Sequence, residues 1–398
     1  MTGTPRSAGE PARRPVILVF AGYYPPAFLA GGPTRSIPRI VDALHDEFDF
    51  RVVTRDRDLG SSVPLPGVVS DRWIEAGGAR CMYVSTRARL AGGLIGVLRR
   101  TRHDVLYLNS LFSLPFSLIP LLLRRFGLVA RGGLVMAPRG ELDPSALALK
   151  AAPKRLYLRL ARSLGLLDDA VWHAATEHEA SAIRRVFGRS ADVLVARDMS
   201  PRPGPAPSHP VKQPGSLDLV FLSRISPIKN LDFAIAALEG VHGRVRFSIY
   251  GPIEDPEYWA ACSRRAERLP ANVTTEYMGV VAPSEVGAVL ARHHVFFLPT
   301  RAESFGHAIS ESLLAGCPVL ISDQTPWHDL EARHAGWDLP LVEPERFTAV
   351  IDRCVAMSAK ELEAWSAGAY ELGREIAQDP TLDAAYRVIF RTAAAPSG

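Results

Sequence analysis

Two runs of short apolar segments alternating with longer amphipathic ones, broken once by MSPRPGPAPSHPVKQPG (199–215), constrain this chain more than any other feature. The interruption holds six prolines and no hydrophobic period, a composition that favours an extended connector over a packed element. Before it stand VILVFA, FRVVT, VLYLNS, LVMAP and AVWHAA, which are β-rich and nearly continuously apolar, as strands buried on both faces of a parallel sheet are. After it the alternation restarts with LDLVFLS, VRFSIYG, VTTEYMG, VFFLPT and PVLIS. The helical segments include SALALKAAPKRLYLRLARSLG, whose Leu147, Leu156, Leu160 and Leu164 fall largely on one face, the side that ordinarily turns to a core. SEVGAVLARH is another, with Ser284 as its expected N-cap. The pattern predicts an α/β chain of two doubly wound sheets facing across a cleft, with ligands at the carboxyl ends of the strands. The expected divisions are a disordered tail over 1–14, a first domain over 15–198, a proline-rich linker over 199–215, a second domain over 216–375, and a C-terminal segment over 376–398 that returns to the first domain.

Composition narrows the partners. The 398 residues are 47% hydrophobic and 22% charged with a formal net charge of +4, which fits a globular chain and gives no concentrated basic face for a nucleic-acid backbone. A mild cationic excess suits an anionic small molecule or an anionic membrane surface. Cys81, Cys262, Cys317 and Cys354 are far apart, with no CxxC spacing, so no zinc site is expected. At the N-terminus Arg13 and Arg14 precede an apolar run, but 16–21 is too short for a signal-peptide core and Tyr-Tyr-Pro-Pro follows it. LFSLPFSLIPLLL (111–123) falls short of the ~20 residues of a membrane span. A cytoplasmic location is expected. RLAGGLIGVLRRTRH (89–103) and LLLRRFG mix apolar and basic residues, which leaves open a peripheral contact at the inner membrane face.

Three stretches carry chemistry. In RAESFGHAISESLLAGCPVLISD (301–323) a strand precedes Glu303, a helix is expected over 306–315, and Gly316 ends it. Ser304, Phe305 and Gly306 then lie at a helix N-terminus, where free N–H groups and the positive end of the dipole attract an anion. Glu303 stands before that anion site and Glu311 beyond it, so a diphosphate flanked by hydroxyl-rich sugars would meet a carboxylate at each end. In FLSRISPIKNLDFAI (221–235), Arg224 and Lys229 occupy a loop after a strand, with Asn230 as expected helix cap; one is a forked donor to phosphate oxygens and the other a point charge. In GYYPPAFLAGGPTRSI (22–37), Gly31 and Gly32 precede a helix expected from Ser36 and let amides approach a phosphate or a sugar.

Together these stretches resemble glycosyltransferase family 4, whose members have the two-Rossmann GT-B fold and retain anomeric configuration. ESFGHAISE matches the family's E-x-F-G-x-x-x-x-E motif and SRISPIKN its Arg-x4-Lys motif; APRGELDPSALALK (137–150) and ATEHEASAI (175–183) are similar to recurrent segments of its first domain. The resemblance implies that Glu303 contacts donor sugar hydroxyls and that Ser304, Phe305 and Gly306 surround the sugar and diphosphate. Glu311 would bind ribose hydroxyls, Arg224 and Lys229 the diphosphate, and Gly31 and Gly32 would face it from the first domain. Arg139 and Glu141 would lie on the acceptor side. Asn109 stands where many members have a histidine, and an amide cannot titrate near neutrality. His173 reads as a satisfied core residue and His307 as a candidate donor contact. The implied activity is retaining, metal-independent hexosyl transfer from a nucleoside diphosphate sugar to a glycan or lipid-linked acceptor in polysaccharide biosynthesis, with no cofactor and no nucleic-acid partner. The alternatives are an epimerase or phosphorylase of the same fold, and a non-catalytic nucleotide-sugar-binding protein.

Overall fold

The computed structural model describes residues 13–90, 92–143, 146–147, 151–205 and 211–395. Residues 1–12 of the expected tail, 206–210 of the expected linker, 396–398 of the C-terminal segment, and 144–145 with 148–150 of the APRGELDPSALALK stretch lie outside these. The chain divides into two compact units, Met1–Ala196 with Thr381–Gly398, and Arg197–Pro380.

The first unit is built on an eight-stranded sheet. Its strands are β1 (Val16–Phe20), β2 (Asp49–Arg55), β3 (Trp73–Ala76), β4 (Ala79–Val84), β5 (Val105–Asn109), β6 (Gly133–Ala137), β7 (Ala170–Ala174) and β8 (Val193–Val195). Their order is β3-β4-β2-β1-β5-β6-β7-β8. Every pair is parallel except β3–β4. The central strands β1, β5 and β7 are buried along their whole length, which is why they carry apolar residues without alternation. The chain winds outward from β1 through β2, returns, and winds the other way from β5. The switch point therefore lies between β1 and β5.

Alternate strand residues meet two helical layers. Leu18, Phe20, Leu106, Leu108, Leu134 and Met136 pack with Leu98, Leu121, Ala161 and Ile183 of the helices Gly93–Arg100, Ile119–Arg125, Ala151–Ser163 and Glu177–Phe187. On the opposite face the C-terminal helix Pro380–Ala394 brings Phe390 edge-on to Phe48, Phe50 and Tyr107 at 5.5, 5.8 and 5.5 Å.

Two expectations fail here. The helix expected from Ser36 begins at Pro33 with Gly32 as N-cap, because the fixed φ of proline suits the first helical position. The leucine stripe divides: Leu147 packs against the core, but Leu156, Leu160 and Leu164 are 58%, 51% and 37% exposed. The helix instead turns Tyr157, Leu158 and the small Ala161 inward, with Tyr157 edge-on to Phe112 at 5.3 Å.

The second unit carries β9 (Ser216–Leu222), β10 (Arg244–Tyr250), β11 (Val273–Gly279), β12 (Val295–Leu298), β13 (Val319–Ser322) and β14 (Gly336–Leu339) in the order β11-β10-β9-β12-β13-β14. All pairs are parallel, and the switch point lies between β9 and β12. Of the two expected caps, Asn230 does occupy the N-cap position of the helix Leu231–Ala237, but it is held at φ 62° and its side chain bonds Pro299 O and Arg301 Nε instead of a helix N–H. The helix Val286–Ala291 starts after Glu285 with no side-chain cap, so Ser284 has no such role. All four cysteines are buried free thiols.

His294 stitches β9 to β12. Its N–H donates to Asp218 O at 2.8 Å, and its Nδ1 accepts from Asp218 N at 2.9 Å. Burial pushes the imidazole down from 6.5 to about 4, against the opposing pull of the Asp218 carboxylate. The fold therefore holds His294 neutral while the unfolded chain protonates near 6.5, and stability falls as pH drops from 6.5 to about 4. Denaturant titrations across that window should show a loss of roughly 1–3 kcal/mol for the native chain. His294→Asn, which keeps an acceptor near the Nδ1 position, should reduce it, leaving the part due to buried His103 and His293, which burial also pushes down; an unchanged pH slope would remove His294 as a source.

Candidate functional site

In the second unit the loops after β9 and β12 lie side by side at the switch point, where doubly wound sheets open a crevice for ligands. After β9 the chain turns through Pro227–Lys229 into the helix Leu231–Ala237. Main-chain and hydroxyl bonds lock this turn to the neighbouring loop: Arg301 N and Thr300 Oγ1 both donate to Ile228 O, at 2.8 and 3.0 Å. Asn230 Nδ2 donates to Pro299 O at 2.9 Å. The left-handed Asn230 backbone ends the turn and leaves Lys229 directed at the second loop.

There Lys229 Nζ forms an ion pair with Glu303 Oε1, the two side chains 11% and 16% exposed. The Glu303 main chain is fixed by its N–H to Gln324 O at 3.1 Å. Trp327 Nε1 donates to Phe305 O, and the two rings lie 5.6 Å apart. Gly306 follows at φ 80°, and a Cβ there would come within 2.7 Å of Ile309 Cδ1. The backbone conformation demands glycine here, and a Cβ would in addition make the Ile309 side chain shift. From it starts the eight-residue helix His307–Leu314, whose first N–H groups have no acceptor within the helix. Glu311 is buried on that helix, while Ser304 is exposed in the loop before it.

The structure thus brings Lys229 and Glu303 into contact and sets Ser304, Phe305 and Gly306 on the path into the helix that bears Glu311. Arg224 lies in the same β9 loop but pairs with Glu254 at 2.7 Å. His307 is turned toward Asp198, with Nε2 3.5 Å from Oδ2. Beside it Ser310 Oγ donates to Ser200 Oγ at 2.6 Å, so residues 198–200 are held against the helix start. Arg301, Gln324 and Trp327 were not singled out by sequence. Trp327 and Gln324 support the loop from beyond β13, a relation no local pattern encodes.

In the first unit the corresponding switch point gathers the glycine loop and Asn109. Asp58 accepts from Phe28 N and Leu29 N at 2.8 and 3.2 Å, and Tyr83 Oη donates to Pro25 O, which pins the loop from two sides. Gly31 adopts φ 79°, and its carbonyl accepts from Thr34 Oγ1 at 2.6 Å. Asn109, the last residue of β5, is buried. Its Oδ1 accepts from Arg139 Nε and Nη2 at 3.1 and 2.9 Å, which fixes the amide's orientation. The Asn109 NH2 is buried without a hydrogen-bond partner among the described residues.

Arg139 also donates to Tyr107 Oη at 2.8 Å. Tyr107 Oη lies 2.8 Å from His173 Nδ1, and His173 Nε2 lies 3.0 Å from Ala196 O. The carbonyl can only accept, so Nε2 carries the proton and Nδ1 accepts from Tyr107. His173 is a satisfied core residue, as expected. Glu141 is occupied by the loop after β5: it accepts from Ser110 Oγ at 2.7 Å and from Leu111 N and Phe112 N. Burial raises its carboxyl above the ordinary range, while the Ser110, Leu111 and Phe112 donors pull it back. Arg139 and Glu141 therefore act on Asn109 and its loop through direct bonds. Arg55, at the end of β2, was missed; it lies over the Tyr23 and Phe116 rings at 5.1 and 5.5 Å and donates to Tyr23 Oη. Among the described residues no group of three or more His, Cys, Asp or Glu is placed to hold a metal ion.

Residues 216–359 match a family model described as Glycosyl transferases group 1. No curated protein matches the chain. Among solved structures the chain is similar to a sucrose-phosphate synthase from Thermosynechococcus elongatus, with TM-score 0.71, 14% identity, and coverage of 96% of this chain and 99% of that one. It is also similar to HepE of Anabaena in complex with UDP and glucose, with TM-score 0.66, 15% identity, and coverage of 95% and 100%. A UDP-forming trehalose-phosphate synthase from Burkholderia xenovorans gives TM-score 0.64, 12% identity, and coverage of 96% and 100%. The fold is the GT-B fold of two Rossmann-like α/β units, and the family match is carried by the second of them.

Proposed function

We propose that the chain is a retaining, metal-independent glycosyltransferase of family 4 type, moving a hexosyl group from a nucleoside diphosphate sugar to a glycan or lipid-linked acceptor in polysaccharide biosynthesis. The observation that carries this reading is the buried Lys229–Glu303 pair at the β9/β12 switch point, directly before a glycine-entered helix N-terminus. The match of residues 216–359 to group 1 glycosyl transferases supports it. The similar structures include one in complex with UDP and glucose and a UDP-forming synthase, so a UDP-sugar is the first donor to test.

The donor diphosphate lies against Lys229 and the free amides of the helix His307–Leu314, where positive charge and unshared N–H groups meet. Arg224 exchanges Glu254 for phosphate oxygens. Glu303 accepts from sugar hydroxyls, and Glu311 from the ribose. In the transfer the bond from the anomeric carbon to the phosphate oxygen breaks as the acceptor oxygen bonds on the same face. The acceptor's proton passes to a leaving phosphate oxygen, so no protein base is required and the amide of Asn109 is compatible with the step. Lys229 and the amides stabilise negative charge that grows on the diphosphate, a role that would otherwise fall to a metal ion. Asn109 donates its oriented NH2 to a hydroxyl at the reacting end.

Lys229→Ala and Glu303→Ala should each lower turnover ~10²-fold or more, by analogy with loss of an electrostatic stabiliser. The measurement is product formation with a panel of nucleoside diphosphate sugars, with and without acceptor, and near-native turnover in both variants would refute the assigned roles. Product only in the presence of acceptor separates transfer from epimerisation. Asn109→Ala should raise the acceptor KM about tenfold, the equivalent of one hydrogen bond, while leaving donor affinity unchanged. A change confined to donor affinity would move Asn109 to the other substrate.

A further inference from the structure

The layer of helices on one face of the first unit carries an apolar and basic surface that the transfer chemistry does not use. Along the helix Ala151–Ser163 and just past its end, Leu156, Leu160 and Leu164 recur every four residues and all face solvent. Beside them on the same helix run Arg155, Arg159 and Arg162, also exposed. The surface continues onto the neighbouring helix Ile119–Arg125, because Arg125 Nε donates to Leu164 O at 2.6 Å. Directly after that helix come exposed Phe126 and Leu128, at 63% and 53%, and Arg131, which bonds back to Arg125 O at 3.3 Å. The same helical layer includes Gly93–Arg100, which ends in exposed Arg99 and Arg100. Past the helix stand exposed Asp168 and Asp169, the latter paired with Arg124 at 2.7 Å.

The stretch that forms this layer is rich in cations: residues 86–165 contain twelve Arg and two Lys against two Asp and one Glu, whereas the whole chain carries only +4. Of these, Arg99, Arg100, Arg125, Arg131, Arg155, Arg159 and Arg162 are the exposed ones named above. Rows of exposed leucine and phenylalanine bordered by arginine match the interfacial helices of peripheral proteins, whose apolar side enters the acyl boundary while guanidinium groups stay at the headgroups. Among the described residues no helix is long and apolar enough to cross a membrane, so the contact would lie on the surface.

We propose that this face, centred on Leu156, Leu160, Leu164 and Phe126 with Arg125, Arg155, Arg159 and Arg162 around them, docks the protein on an anionic lipid bilayer. A second copy of the chain fits poorly, since it would set two strongly cationic faces against each other. A nucleic-acid backbone gives the leucines nothing to bury against. The inference stands whatever sugar is transferred; if the acceptor is lipid-linked, the same face would hold the enzyme where that acceptor is found.

The test is co-sedimentation of the full chain with vesicles of phosphatidylcholine alone and of equal parts phosphatidylcholine and phosphatidylglycerol. Binding is expected to the mixed vesicles only and to weaken with salt. Leu156→Ser with Leu160→Ser should lower the partition coefficient about tenfold, and Arg155→Glu with Arg159→Glu should abolish binding, with thermal melts unchanged because all four side chains are exposed. Absence of binding, binding that neither pair alters, or equal binding to neutral vesicles would overturn the proposal. So would a native dimer in light scattering that the leucine pair disperses, because the face would then be a self-interface.

Discussion

Two opposite charges withdrawn from water hold the second unit's crevice in shape. Lys229 and Glu303 come from loops that follow different strands, and each is largely covered. Removing an ion from water costs several kcal/mol, which is offset only when the partner sits in good geometry. That requirement explains the surrounding main-chain bonds. Ile228 O takes two donors from Thr300 and Arg301, Asn230 reaches Pro299 O, and Glu303 N reaches Gln324 O. These leave the two loops little freedom to separate. A ligand entering such a site finds its cationic and anionic partners already placed, and less ordering has to accompany binding.

In the first unit the equivalent edge is ordered by neutral side chains that accept from one arginine. Arg139 holds Asn109 and Tyr107, Tyr107 leans on His173, and His173 ends on Ala196 O. The helix Pro380–Ala394 then supplies Phe390, edge-on to Tyr107, and Tyr386, edge-on to His173. The last helix of the chain therefore buttresses, two contacts away, the residue that orients the buried amide of Asn109. A change in that helix is coupled to the site through packing, even though its sequence carries no motif.

Much of this was legible in the sequence because the responsible interactions are local. Buried parallel strands announce themselves by continuous apolar runs, and ten of the fourteen strands among the described residues coincide with such runs. The others are β3, β4, β8 and β14. β3 and β8 lie at sheet edges where burial is partial, and β14 is four residues long with Gly336 pressed against Val319 O. The order strand, Glu303, Gly306, helix was readable because a continuous apolar run and a glycine before a helix are local statements, though the strand ends at Leu298, before Pro299. The pairing of Lys229 with Glu303, the Trp327 bond to Phe305 O and the His307 contact with Asp198 were not, since each joins segments far apart in sequence. Capping failed for a related reason. Asn230 has the side chain of a cap and stands at the N-cap position, but Pro299 O accepts from its Nδ2 and Arg301 Nε donates to its Oδ1, so the side chain is taken by tertiary partners.

The helix Ala151–Ser163 shows a more general limit. Periodicity reveals that a helix has an apolar face; it does not say what that face meets. Here the sheet side is filled by Tyr157, Leu158 and Ala161, and the small alanine lets the helix approach closely, so the bulkier leucines are left on the outer side. The same averaging hides the charge. A net +4 looks unremarkable for a chain of 398 residues, yet residues 86–165 are strongly basic and the rest of the chain is net acidic. Because screened electrostatics act over roughly 8–10 Å at physiological salt, a surface responds to its own patch and not to the chain total. Partner assignments from composition are therefore only as good as the assumption that charge is evenly spread, and in this fold the arginines and the exposed leucines share one layer.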